Sequence, residues 1–209
     1  MINIAGAGLT GMSCALNLLK SGHNIIIYES RQEIGNPVRS PGFINNINID
    51  FIDVSCAKQS KLGWGFRREW YEKAFAELIL SKGGEIILKT EAPIDSIDCT
   101  GEKTTSSGWP SSNNKKTSLI SWNGGIVIES DLPKDIIKNS KSSTHICFQR
   151  GDGLVEYWTP NKLPTPSKGW LEIIQGEHPE DVDLIGADYA IAKGISIAQD
   201  FLSNKGGKF

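Results

Sequence analysis

The fold of this chain is decided by residues 2–11, which read INIAGAGLTG. A short apolar strand, residues 2–5, leads directly into three glycines with the spacing Gly-x-Gly-x-x-Gly. Gly6 permits a tight turn from strand to helix, and Gly8 lets the backbone approach a pyrophosphate because it has no Cβ. Gly11 allows the helix to pack closely on the strand. These ten residues predict a dinucleotide-binding turn.

The residues that follow complete a strand–helix–strand unit. Apolar residues at helical spacing predict a helix that ends at Gly22, and residues 25–28 predict a second strand parallel to the first. The pyrophosphate would lie at the helix N-terminus, where unpaired N–H groups favour an anion. Glu29 would accept hydrogen bonds from the ribose hydroxyls of an adenosine. The sequence thus predicts an adenine-dinucleotide site formed by Gly6, Gly8, Leu9, Thr10, Gly11, Glu29, Ser30 and Arg31.

The identity of the dinucleotide follows less directly. The fuller spacing from Gly6 to Glu29, with Ala15, Leu18 and Gly22 between them, resembles the N-terminal FAD-binding segment of the glutathione-reductase-like flavoproteins. NAD-binding units share the first half of this pattern, so the fingerprint alone leaves both cofactors open. Its position at the start of the chain favours FAD, with NAD as the alternative.

Length and composition limit the classes of protein to consider. The chain has 209 residues, 39% hydrophobic and 22% charged, which suits one large globular domain or one domain with a small appendage. A net charge of -2 gives no electrostatic reason to expect nucleic acid. Four scattered cysteines lack metal-ligand spacing, and Cys14 is expected to be a buried free thiol. With no signal peptide and no membrane-spanning apolar run, we expect a cytoplasmic protein.

Several further elements are predicted from periodicity. Helices are expected over residues 68–82 and 191–202, and a strand over 85–89. A strand-like patch falls at residues 47–52, and residues 101–118 predict a flexible loop. Other strand candidates are residues 119–122, 126–129, 144–149, 154–158 and 170–174.

Residues 34–42 read IGNPVRSPG. They are the first of three stretches that resemble the geranylgeranyl-reductase-like members of the para-hydroxybenzoate-hydroxylase superfamily, and they are similar to the family's loop beside the flavin. The resemblance implies that Val38 and Arg39 bind the cofactor. Ser40 stands at or near the place of a cysteine found in many of these reductases, so a thiol role is absent here.

The second stretch begins at Arg67, followed by Trp70, Ala74 and Gly83. It is similar to the family's helix start, in which an arginine lies close to the cofactor. A guanidinium offers paired donors to phosphate oxygens. Arg68 is the competing candidate, and a solvated surface role for either arginine is the alternative.

The third stretch is DLIGAD at residues 183–188, followed by KGISIA at 193–198. It resembles the family's Gly-Asp motif and the helix start after it, which implies that Asp188 binds the ribitol. The same resemblance implies that Lys193, Gly194 and Ile195 open a helix aimed at the flavin's pyrimidine edge. Ala187 interrupts the Gly-Asp pair, a departure from the family pattern.

Together these features predict an α/β protein. We expect a Rossmann-like, glutathione-reductase-type FAD-binding domain with a parallel sheet, formed by residues 1–95 and 180–209. Residues 96–179 would form a reduced antiparallel β cap, in which residues 153–160 either line the flavin pocket or serve as an ordinary strand. The chain would be an unusually short member of the family.

The predicted function is that of a compact FAD-dependent oxidoreductase, with NADH or NADPH as a candidate electron donor and a small-molecule substrate, a hydrophobic one among the candidates. The alternatives are a flavin monooxygenase and a non-catalytic flavin- or NAD-binding sensor or subunit. No metal site is expected. The sequence identifies no catalytic acid or base, since His23, His145 and His178 have no partner at recognisable spacing and are expected to be solvated or structural.

Overall fold

The computed structural model describes residues 1–45, 57–100 and 119–206. Its strands, in chain order, are β1 Ile2–Ala5, β2 Ile25–Glu29, β3 Phe43–Ile44, β4 Lys58–Gln59, β5 Trp64–Gly65, β6 Glu85–Leu88, β7 Ile97–Asp98, β8 Leu119–Ile128, β9 Ser140–Ser142, β10 His145–Gln149, β11 Leu154–Thr159 and β12 Glu172–Pro179. Its α-helices are α1 Leu9–Lys20, α2 Arg68–Ser81 and α3 Ala187–Gly206. The predicted strand patch at 47–52, the predicted loop at 101–118 and Cys56 lie outside the described residues.

The chain divides into two compact units. The first contains Met1–Asn36, Glu72–Lys116 and Ala190–Phe209, and the second contains Pro37–Tyr71 and Thr117–Tyr189. The predicted FAD domain also consists of separate segments, whereas the predicted cap is one continuous segment, and the predicted boundaries differ from those of the two units. It assigns residues 37–71 to the first domain, whereas β3 and β5 lie in the second compact unit. The functional assignment of the two parts stays a proposal.

The first unit is built on a four-stranded parallel sheet with the order β6-β2-β1-β7. Ile4, Ile25 and Ile27 are buried in it, as expected for parallel strands covered by helices. The register pairs Ile2 with Ile25 and Ala5 with Tyr28, so the predicted parallel strand–helix–strand unit is confirmed. The parallel sheet confirms the predicted fold class.

The second unit is built on a five-stranded antiparallel sheet with the order β12-β8-β11-β10-β9. The prediction of separate strands at 119–122 and 126–129 is wrong, because β8 runs unbroken through Gly124 and Gly125. Strand interiors rarely carry two glycines, and here each leaves room for a ring. A Cβ on Gly124 would come within 2.6 Å of the Trp158 ring, and one on Gly125 would meet the ring of Trp170.

The antiparallel sheet buries apolar side chains on both faces. Trp122 and Trp158 belong to the larger core cluster, together with Phe43, Ile126, Ile146, Phe148, Ile174, Val182 and Ile185. A smaller cluster on the other face contains Val127, Cys147 and Val155. Strand β12 begins later and runs further than the predicted strand at 170–174, and it includes His178.

The C-terminal helix differs from its prediction at its start. The expectation that Lys193, Gly194 and Ile195 open a helix is wrong, because α3 begins at Ala187 and these residues lie in its interior. Gly194 is buried against α1, where an added Cβ would overlap the Thr10 carbonyl oxygen and lie 2.8 Å from Ser13 Cβ. Gly194 therefore allows α3 and α1 to pack closely where they cross. None of the helices in the described part of the chain combines the length and apolar character needed to cross a membrane.

Candidate dinucleotide site

The three glycines after β1 have three different physical reasons to be glycine. Gly6 has φ +94, a conformation that side chains with a Cβ rarely adopt. A Cβ on Gly11 would overlap the Gly6 carbonyl oxygen and lie 3.0 Å from its carbon. A Cβ on Gly8 would meet nothing within 4 Å, at ordinary extended angles of φ -79 and ψ 179. The protein's own packing requires glycine at positions 6 and 11 but leaves an open cradle above Gly8.

The N-terminus of α1 suits an anion. Gly8 is its N-cap and provides no side-chain hydrogen bond to the first turn, which also holds no acidic residue. The leading N–H groups of a helix, including those of Leu9 and Thr10 here, have no intrahelical acceptor, and the helix dipole adds positive potential. Leu9 itself is buried, so its contribution to the cradle is its backbone.

Glu29, at the end of β2, lies against the glycine turn. Its Oε2 accepts a hydrogen bond from Ala7 N at 2.9 Å, so the acid and the turn are joined before any ligand binds. Burial by itself raises the pKa of Glu29, but hydrogen bonds from the side chain and backbone of Arg31, its positive charge and the Ala7 N–H together lower the pKa below its ordinary value. The carboxylate is thus held charged.

Arg31 forms a two-pronged contact with that carboxylate. Its Nε donates to Glu29 Oε1 at 3.0 Å and its Nη2 donates to Oε2 at 3.1 Å. The hydrogen bond to Glu29 raises the pKa of Arg31, burial opposes this, and the charges of Glu29 and Glu72 add to the rise. Ser30, between the two, is exposed. The predicted residues from Gly6 to Arg31 therefore form one continuous group in the first unit.

Two residues that the sequence reasoning missed belong beside this group. Asp98 ends β7, and its Oδ1 accepts hydrogen bonds from Thr100 N at 2.9 Å and Thr100 Oγ1 at 2.6 Å. Thr100 lies next to Gly6, where a Cβ would come 3.2 Å from its methyl group. Strands β1 and β7 flank the point where the strand order reverses, which is where open α/β sheets bind ligands. The sequence offered one signal for Asp98 and Thr100, because a sheet of this kind needs a further strand on the other side of β1.

In the second unit, the predicted flavin loop is tied down at several backbone atoms. His178 Nε2 donates to the Arg39 carbonyl at 2.7 Å, and Arg68 Nη1 donates to the Pro41 carbonyl at 3.1 Å. Gly42 N donates to Glu156 Oε1 at 3.0 Å. Burial lowers the pKa of His178 to about 4, with Arg68 adding to the effect and the contact with Arg39 opposing it, so this ring is neutral near pH 7. These side chains fix the shape of residues 39–42.

The two arginines at the start of α2 have different environments. Arg67 is partly exposed, forms an ion pair with Glu69 and lies over the Trp70 ring at 5.0 Å. Arg68 is buried and holds the Pro41 carbonyl, so the alternative of a solvated surface role is wrong for Arg68. Arg67 is available to a ligand, and its assignment to the cofactor stays a prediction.

Asp188 lies in the first turn of α3. Its Oδ2 accepts from Asn45 N at 2.7 Å and from Asn45 Nδ2 at 3.1 Å, which attaches the chain after β3 to the helix start. Its predicted contact with a ribitol stays a prediction. Ile195, like Gly194, lies in the helix interior rather than at its start.

The comparisons with known proteins agree with this geometry. Residues 4–51 match the NAD(P)-binding Rossmann-like domain family. A geranylgeranyl bacteriochlorophyll reductase-like protein from Thermoplasma acidophilum superposes with a TM-score of 0.71, covering 97% of this chain and 79% of that one at 16% identity. A flavoprotein/dehydrogenase from Cytophaga hutchinsonii superposes with a TM-score of 0.57, covering 97% and 78% of the two chains at 12% identity. The flavin-dependent brominase Bmp2 does so at 0.59, covering 95% and 78% at 12% identity. The chain has the fold of the geranylgeranyl-reductase-like flavoproteins.

The predicted resemblance is thereby confirmed at the level of the fold. At sequence identities of 12–16%, these superpositions show that the fold is shared and do not show that the activity is shared. In sequence, a stretch of 39 residues is 56% identical to zeta-carotene desaturases from Solanum lycopersicum and Capsicum annuum. That stretch is 19% of this chain and 7% of the length of the desaturases.

In the described part of the chain, His145 and Cys14 have structural surroundings. His145 Nδ1 lies 2.8 Å from Ser142 Oγ, and its ring stacks on Tyr157. Cys14 is a buried free thiol, as predicted. Among residues 1–45, 57–100 and 119–206, no group of three or more His, Cys, Asp or Glu side chains could hold a metal ion.

Proposed function

We propose that this protein is an FAD-dependent oxidoreductase that binds the adenosine and pyrophosphate of FAD on the turn between β1 and α1. The observation that carries the proposal is the open cradle above Gly8. Gly6 and Gly11 are needed for the fold itself, whereas at Gly8 a Cβ would meet no protein atom within 4 Å. Space at the dipole end of an uncapped helix is the setting in which proteins bind phosphates.

Each residue of the first unit has a role in this proposal. The N–H groups of Leu9, Thr10 and Gly11 would donate to the pyrophosphate, and Glu29 would accept from the ribose hydroxyls. Arg31 keeps Glu29 charged and oriented, since it holds both carboxylate oxygens. When bound, FAD supplies two-electron chemistry, in which hydride comes from a donor such as NADH or NADPH and passes to a small organic substrate.

The second unit would supply the flavin-facing loop and the cap. The resemblance of residues 34–42 supports placing Val38 and Arg39 against the isoalloxazine, Arg67 near the cofactor and Asp188 at the ribitol. Within the described residues, the backbone N–H groups of Val38, Arg39 and Ser40 have no protein acceptor, which makes them donors available to a ligand. The division into an FAD domain and a substrate cap, and a cytoplasmic location, belong to the same proposal.

A second candidate is an NAD-binding or non-catalytic flavin-binding protein. It is favoured by the match of residues 4–51, since the description of that domain family names NAD(P). Flavin monooxygenase chemistry is the third candidate, because a flavoprotein/dehydrogenase and a flavin-dependent brominase share this fold.

Anaerobic reduction of the flavin-loaded protein separates these candidates. The FAD-loaded protein should lose its visible flavin bands on addition of NADH or NADPH and recover them when an organic acceptor is supplied. A protein that binds flavin and is not reduced by either donor supports the non-catalytic candidate. Recovery of the bands by dioxygen with a detectable oxygenated product supports the monooxygenase.

A further inference from the structure

We infer that Glu156 is a positioning residue that fixes the backbone of residues 39–42 in the form in which this loop meets the flavin; the inference rests on the proposed function. Glu156 lies on β11, and 1% of its surface is exposed. No part of the sequence resemblance involves its carboxylate. Its contacts identify what it does.

The Glu156 carboxylate collects three donors from different parts of the second unit. Its Oε1 accepts from Trp158 Nε1 at 2.6 Å and from Gly42 N at 3.0 Å. Its Oε2 lies 3.4 Å from Arg150 Nη1, and Arg150 Nε in turn donates to Asp152 Oδ1 at 3.2 Å. Burial raises the pKa of the Glu156 carboxyl, while Arg150, Trp158 and Gly42 act against that rise.

This arrangement exceeds what packing alone would need. A buried ion pair is often replaced by apolar residues of similar volume without loss of stability, so a buried carboxylate is weak evidence for a purely stabilising role. An apolar side chain at position 156 could fill the space, but it would leave the N–H groups of Gly42 and Trp158 without an acceptor. The carboxylate links the loop to the core strand through Gly42.

Gly42 is fixed from both sides. Its N–H is bound by Glu156, and its carbonyl accepts from Phe66 N at 2.7 Å. A Cβ on Gly42 would overlap the Phe66 carbonyl oxygen, so only glycine fits where the loop comes this close to the residue after β5. The next carbonyls upstream, those of Pro41 and Arg39, are held by Arg68 and His178. The carbonyl oxygens of Arg39, Pro41 and Gly42 are therefore all bound by donors of the second unit.

The consequence is a loop that presents donors. With the carbonyls of residues 39 and 41 occupied, the backbone N–H groups of Val38, Arg39 and Ser40 remain without an acceptor in the described part of the chain. The flavin ring offers carbonyl oxygens and ring nitrogens as acceptors. Glu156 acts on this recognition through Gly42 and touches no reacting atom.

The test compares Glu156→Met, which removes both carboxylate acceptors, with Glu172→Met, a matched change at an exposed position on β12. Amide hydrogen exchange by NMR on the flavin-free protein should show Gly42 protected in the wild type and exchanging at least about tenfold faster in Glu156→Met, the scale of one lost buried hydrogen bond. FAD affinity should fall by about the same factor, and the visible bands of bound flavin should shift. Glu172→Met should change none of these.

A third variant distinguishes positioning from stability. Trp158→Phe removes the other Oε1 donor and keeps the Gly42 contact, so it should leave exchange at Gly42 and the flavin bands unchanged even if it lowers the melting temperature. Equal effects of Trp158→Phe and Glu156→Met on the flavin bands would overturn the inference. If Glu156→Met fails to fold, amide exchange in the wild type is still a test, because exchange at Gly42 as fast as at Arg39 would overturn the inference. If the wild type binds no flavin, the proposed function is wrong. Amide exchange at Gly42 is measured on the flavin-free protein, so it tests the role of Glu156 in the loop independently of that outcome.

Discussion

Replacing Gly8 and Gly11 by alanine, one at a time, should separate the cofactor from the fold. At Gly8 the new Cβ meets no protein atom within 4 Å, and the backbone angles are open to any L-residue. Glycine is preferred over alanine as a helix N-cap by up to about 1 kcal/mol, but alanine regains about 0.4–1 kcal/mol by restricting the unfolded chain. Gly8→Ala should therefore change the free energy of unfolding by less than about 1 kcal/mol.

At Gly11 the same methyl group overlaps the Gly6 carbonyl oxygen. Overpacking of this kind costs about 1–3 kcal/mol, so Gly11→Ala should be measurably less stable than Gly8→Ala. Urea denaturation of the flavin-free proteins measures both values, and a titration with FAD measures affinity. We expect Gly8→Ala to lose at least about tenfold in affinity, or about 1.4 kcal/mol, at nearly unchanged stability. If Gly8→Ala binds FAD like the wild type, or if Gly11→Ala is as stable as Gly8→Ala, the proposed difference between the two glycines is wrong.

Three other outcomes are expected. Contacts with Arg31 lower the pKa of Glu29 in the folded protein. The difference in free energy of unfolding between wild type and Glu29→Gln should therefore be complete above pH 4.5 and should shrink as the pH falls through the folded pKa. A difference that stays constant with pH in urea denaturation would contradict this. The His178 ring should titrate at about 4 by NMR, and stability should fall from pH 6.5 downwards because the unfolded chain takes up the proton first; His178→Gln should lose that part of the slope. Gly194→Ala should lower the free energy of unfolding by about 1–3 kcal/mol through the clash with α1, whereas Ser196→Ala, exposed on the same helix, should not.

The parts of the fold that could be predicted are those with strong local signals. The β1–α1–β2 unit follows from glycine spacing and apolar periodicity, because backbone sterics and close packing admit few residues there. Helix α2 has clear periodicity and a glycine stop at Gly83. Both lie where the sequence predicted them, within a residue or two.

Other parts depend on distant residues and could not be predicted. Strand β8 continues through Gly124 and Gly125 only because tryptophan rings from elsewhere fill the space beside them. Strand β7 has two residues, too few for any periodicity. Gly194 was interpreted through a family resemblance as a helix start, yet its backbone meets α1 and the helix begins seven residues earlier, at Ala187.

The candidate site shows the same division. Glu29 could be predicted from its distance to the glycine turn, whereas its contact with Arg31 depends on side-chain geometry that no spacing reveals. Glu156 and His178 act on a loop more than a hundred positions away in sequence. Such contacts follow from the arrangement of the sheet and not from local pattern.

The central claim is that the turn after β1 binds FAD, and the most direct measurement is a titration of the flavin-free protein with FAD and, separately, with NAD. We expect one FAD to bind per chain in a saturable manner, with a change in flavin fluorescence. Binding of FAD should be tighter than that of NAD and should be weakened at least about tenfold by Gly8→Ala. Tighter binding of NAD than of FAD, or binding of neither by a folded protein, would contradict it.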